Sequence, residues 1–173
     1  MNRPTAAPSV ARTYKIQFTA TGNYSDSTQQ NLTALVTWTS SNTAYATISN
    51  TSGSNGLATA VAAGTPTITA TYSGKSGSTT MTVTTATLSS IAVTPVATIN
   101  ITVGQTVQLT ATGTFSNGTK LDLTTQASWT SGSTKTATVS AKGLVTGVRA
   151  RTSTVNIKAT MSGKNGTTKV KVS

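Results

Sequence analysis

Short runs in which every second residue is apolar, broken by Gly- and Asn-containing turns, make up most of this chain. Near its end Val155, Ile157, Ala159 and Met161 alternate with Asn, Lys and Thr, and Val170 and Val172 alternate with Lys169 and Lys171. Val107, Leu109 and Ala111 do the same between Thr and Gln, as do Ile16, Phe18 and Ala20, then Ile68, Ala70 and Tyr72, then Met81 and Val83. A period of two marks a strand with one face buried and one wet. No window places apolar residues at helical spacing. Ser116-Asn117-Gly118, Lys142-Gly143 and Ser162-Gly163-Lys164-Asn165-Gly166 supply residues that turns need. The spacing predicts an all-β chain of short strands, with turns roughly every 8–12 residues, as in a β-sandwich.

The pattern occurs twice. Phe18-Thr-Ala-Thr-Gly22 matches Leu109-Thr-Ala-Thr-Gly113 at an offset of 91, which also places Trp38 on Trp129 and Ala46-Thr47-Ile48 on Ala137-Thr138-Val139. At Gly56-Leu57 and Gly143-Leu144 the offset is 87, so the first copy holds four extra residues near Asn50–Asn55. At Ala70 to Lys75 against Ala159 to Lys164 it is 89, so the second copy holds two extra near Arg149–Ser153. Insertions between strands are what surface loops tolerate. Two domains are expected, residues 1–86 and 87–173. Phe18, Trp38, Leu109, Trp129, Ile157 and Val170 are the expected core, with each Trp a plug between two sheets.

Composition removes most chemistry. Of 173 residues, 42 are Thr and 21 are Ser, and His, Cys and Glu are absent. There is no disulfide framework, no thiol nucleophile and no Ser-His-Asp arrangement. The usual zinc and copper ligands are missing. Asp26 and Asp122 are the only acids; they fall on Asn117 and Asn31 of the other copy, so no paired-carboxylate site is expected. No enzyme activity, no metal and no cofactor is expected. No apolar run is long enough for a membrane span.

The second copy reads Leu88-Ser-Ser-Ile-Ala-Val-Thr-Pro95, then Ile101-Thr-Val-Gly104, Gln108-Leu-Thr-Ala-Thr-Gly113, Trp129-Thr-Ser and Gly143-Leu-Val-Thr-Gly147. This order of motifs resembles the bacterial Ig-like domain of group 2. The resemblance implies an immunoglobulin-like sandwich without a disulfide, acting as a spacer or weak binding module, with no catalytic residues to carry over. Such domains occur in intimin- and invasin-type adhesins, appended to extracellular enzymes, and in phage structural proteins. Pro4 falls on Pro95 and Met1 on Ala92, so the first domain is expected to have a shortened opening strand. Gly104 falls on Thr13, which implies different turn chemistry there.

These features give a first reading: a phage virion component, such as a capsid decoration, fibre or tail-associated protein. Its partners are other virion or surface proteins, reached by strand addition at the open edge of the first domain. A stalk segment of a bacterial surface adhesin is the second reading, and a carbohydrate-binding module of an extracellular enzyme the third. The net charge is +11, of which +8 lies in residues 88–173. Lys158, Lys169 and Lys171 are expected on one outer sheet face, with Arg149, Arg151, Lys135 and Lys142 near it. Together they form a candidate docking face for an acidic surface or an anionic polysaccharide. Tyr14 and Tyr45, which the second copy replaces with Gln105 and Thr136, are candidates to stack on a sugar. Nucleic acid is not expected as a partner, because exposed aromatics among the basic residues are lacking.

Overall fold

The computed structural model describes residues 7–173. It divides into two compact units, the first ending at Ala86 and the second spanning Thr87–Ser173. Each is an immunoglobulin-like sandwich built of strands alone among the described residues.

In the first unit the strands are β1 (Ser9–Ala11), β2 (Lys15–Gln17), β3 (Thr21–Asn23), β4 (Gln29–Asn31), β5 (Thr37–Ser40), β6 (Ala46–Ile48), β7 (Leu57–Ala60), β8 (Thr67–Tyr72), β9 (Lys75–Thr80) and β10 (Thr82–Thr84). One layer holds β5–β8–β9, continued past Met81 by β10, which β1 joins in parallel. The other holds β2–β7–β6 and the β3–β4 hairpin. The alternation sets which side chains meet. Trp38 pairs with Ala70 and turns inward, while its neighbours Thr37 and Thr39 are exposed. Phe18, Trp38, Ile68 and Met81 are buried, and the Phe18 and Trp38 rings lie 6.4 Å apart at a tilt of 46°. Aromatic pairs favour such a tilted approach.

In the second unit the strands are β11 (Leu88–Thr94), β12 (Ile99–Ile101), β13 (Thr106–Gln108), β14 (Thr110–Phe115), β15 (Lys120–Asp122), β16 (Ser128–Ser131), β17 (Ala137–Val139), β18 (Leu144–Gly147), β19 (Val155–Met161) and β20 (Lys164–Val172). One layer is β12–β20–β19–β16 and the other comprises β11–β14–β15 and β13–β18–β17. Leu109, Ile157 and Val170 are fully buried. Trp129 is only half-buried, which corrects its expected place as a sealed plug. Its Nε1 still donates to the Thr124 carbonyl at 2.8 Å, as Trp38 Nε1 donates to Thr33 at 3.0 Å.

Of two expectations about the start of the first unit, one lies outside the described residues and one is altered. The residues aligned with the end of β11 are Met1–Arg3, so the shortened strand lies outside the described residues. The turn at Thr13 is not different in geometry. Thr13 has φ of 75° where Gly104 has 82°. Thr13 N donates to Ala60 O at 2.8 Å, and Gly104 N donates to Gly147 O at 2.8 Å. The first copy makes the same turn with a side chain that disfavours it.

Candidate functional site

The layer β12–β20–β19–β16 carries the basic residues on its outward face. Inward Ile157, Ala159, Val170 and Val172 are buried, so the intervening residues of β19 and β20 face solvent. Register fixes the neighbours. Lys158 stands between Thr130 of β16 and Thr167 of β20. Lys169 is opposite Asn156, and Lys171 opposite Asn100. Each lysine therefore has a neutral hydrogen-bonding side chain directly across from it. Arg151 joins the same end of the sheet, since its amide donates to the Val172 carbonyl at 2.8 Å.

The remaining basic candidates are placed differently. Arg149 N donates to Thr136 O at 3.2 Å, which sets it beside the turn that carries Lys135. Lys142 lies in the β17–β18 turn of the opposite layer, where its carbonyl accepts from Gln108 Nε2 at 2.7 Å. The sheet face thus gathers Lys158, Lys169 and Lys171, has Arg151 at its end, and leaves Lys142 off it.

No side-chain carboxylate stands on this face. Asp122, the one acid of the second unit, lies in β15, and its Oδ1 accepts from Thr124 N at 2.8 Å. Its counterpart Asn31 accepts from Thr33 N at 2.9 Å. Asp26 Oδ1 accepts from the Thr28 amide at 3.0 Å and hydroxyl at 2.7 Å, and Asn117 does the same for Thr119 at 3.2 and 2.7 Å. Both acids therefore hold turns that asparagine holds in the other copy. The Thr28 hydroxyl, then its amide, keep the Asp26 carboxyl below its ordinary value. Among the described residues no cluster of acids could hold a metal ion.

Tyr14 and Tyr45 do not form a shared sugar platform. Tyr14 is 5% exposed and belongs to the core, which removes it as a stacking surface. Tyr45 is partly exposed, but its ring lies against Gly64, where even a Cβ would approach it to 2.5 Å. One ring face is covered by backbone.

A model of the bacterial Ig-like domain (group 2) matches residues 3–84 and again residues 87–172. The chain belongs to that family. Ice-binding protein 1 of Shewanella frigidimarina (strain NCIMB 400) is 43% identical to this Ig-like pair over 148 residues, which cover 83% of the pair and 16% of that protein. The chain thus spans about a sixth of that relative's length. Among solved structures, domains 5–6 of the S-layer protein SbsC are 22% identical, with 98% of this chain and 94% of that chain covered and a TM-score of 0.49. The tandem Ig repeats of Dlar are 14% identical, with 96% and 93% covered and a TM-score of 0.34.

Proposed function

We propose that this Ig-like pair is a non-enzymatic extension segment of an extracellular, cell-surface bacterial protein, setting distance and carrying tension. The observation that carries this reading is how each unit closes its ends. In the first unit β1 and β10 run parallel, bracketed by Thr82 N to Pro8 O at 2.8 Å and Arg12 N to Thr84 O at 2.9 Å. In the second, β12 and β20 run parallel, bracketed by Ser173 N to Ile101 O at 2.9 Å and Val103 N to Ser173 O at 3.2 Å. An early strand and the last strand of each unit are hydrogen-bonded side by side in one direction. Pulling the ends of a unit apart loads these bonds in shear, several at once, rather than unzipping them singly.

The 43% identity to a stretch of a far longer protein supports the same reading. The phage placement has no observation of this kind behind it, and the cell-surface reading takes precedence. The relative's name raises contact with ice; a spacer by itself leaves growing ice crystals round, and faceting by the isolated pair would count against it. The deciding experiment is immunogold labelling of the producing cells with antibody to this chain. Gold along intact cell surfaces supports the reading. Gold confined to released phage particles overturns it.

A further inference from the structure

The two copies have the same sheet but different chemistry on its outer face. At the offset of 89, Lys158, Lys169 and Lys171 fall on Thr69, Thr80 and Thr82. The pairing agrees: Thr69 lies between Thr39 and Ser78, as Lys158 lies between Thr130 and Thr167. The fold accepts threonine at all three positions, so the lysines are not required by the sandwich.

Their grouping is also unfavourable on its own. Lys169 and Lys171 are two residues apart on one face, about 7 Å along a strand. Lys158 is the diagonal neighbour of Lys169, about 7–8 Å away. Like charges at this spacing repel weakly across an exposed face, and no side-chain carboxylate on this face relieves them. From this we infer that the outer face of β12–β20–β19–β16 is a binding surface for an acidic polysaccharide, a chain of sugars bearing carboxylates. The lysines supply the charge. Thr130, Thr167, Asn156 and Asn100, across from them, supply donors and acceptors for sugar hydroxyls on a flat surface. The register places no aromatic on this face, so the base-stacking platforms of single-strand nucleic-acid binders are missing.

The test uses the whole chain, with polygalacturonate as the probe and neutral dextran as the blank, followed by calorimetry or biolayer interferometry. Binding to polygalacturonate and not to dextran is expected. It should vanish on raising salt from about 0.1 to about 1 M, which shortens the screening length from about 10 to about 3 Å. The variant Lys158→Thr/Lys169→Thr/Lys171→Thr, carrying the first copy's residues, should weaken binding roughly 100-fold. A second variant, Lys75→Thr/Lys120→Thr/Lys142→Thr, removes as much charge from residues outside that sheet and should weaken it by less than about threefold. Adding lysines at Thr69, Thr80 and Thr82 should create a second site. No binding to polygalacturonate, equal loss in the two triple variants, or tighter binding to duplex DNA of matched charge would each overturn the inference.

Discussion

Replacing Asn50 with alanine should destabilise the first unit far more than its place in an inserted loop suggests. β5 is an edge strand, bonded on one side to β8. On its other side Asn50 acts as a piece of strand. Its Oδ1 accepts from Trp38 N at 2.7 Å and its Nδ2 donates to Trp38 O at 2.9 Å. Trp38 is the largest side chain in that strand and is 5% exposed. Two neutral hydrogen bonds contribute about 1 kcal/mol each, and a partly buried amide left without a partner adds to the loss. Asn50→Ala should therefore lose about 2–3 kcal/mol. The assay is urea unfolding followed by tryptophan fluorescence. In a Trp129→Phe background only Trp38 reports, and the midpoint should fall by about 2–3 M if the slope is about 1 kcal/mol/M for a domain this small. In a Trp38→Phe background Trp129 should show the second unit unchanged. Asn55→Ala, which removes only an exposed bond to the Asn50 carbonyl, should lose less than about 1 kcal/mol. Equal losses for Asn50→Ala and Asn55→Ala would refute the reasoning.

Three further outcomes follow from the paired copies. Thr124→Val keeps the shape but removes the Oγ1 that accepts from Ala111 N at 3.0 Å in a buried site, and should destabilise the second unit by about 1–3 kcal/mol in the same urea assay. Asp26→Asn should be nearly neutral at pH 7, because Asn117 makes the same turn. Because the folded pKa of Asp26 is lowered, its contribution is present above the ordinary value of 3.8 and is lost as pH falls through the folded value. Asp26→Asn should thus match wild type above about pH 5 and become the more stable of the two in acid, as read by thermal melts across pH. Thr13→Gly should raise the melting temperature of the first unit, since relief of the left-handed conformation outweighs added unfolded-state freedom by about 0.5 kcal/mol.

The fold was legible because its signal is periodic and repeated. Ile157, Ala159 and Val170 announce an inward face by alternation, and the second copy confirms each assignment in the first. The basic face was legible for the same reason: Lys158, Lys169 and Lys171 occupy outward positions of strands whose inward positions are unmistakable. What escaped depends on contacts distant in sequence or on irregular backbone. Tyr14 is in phase with Ile16, Phe18 and Ala20, a sign of burial that its mismatch with Gln105 in the other copy obscured. Lys142 is near the other lysines in sequence but in the opposite layer, a separation that only strand pairing reveals. Asn50 looked like part of a tolerated insertion, because a side chain bridging to a strand twelve residues away leaves no periodic trace. The Thr13 turn looked different because a glycine was missing, yet its backbone follows the same path as at Gly104.

The central claim is that two sandwiches in series resist tension through their parallel terminal strands. Single-molecule force spectroscopy, pulling the chain by its two ends, tests it most directly. Two separate unfolding peaks are expected, one for each unit. Arg12→Pro, which deletes the donor to Thr84 O, should lower the force of one peak and leave the other unchanged. Extension without force peaks, or peaks indifferent to the loss of that bond, would contradict the account.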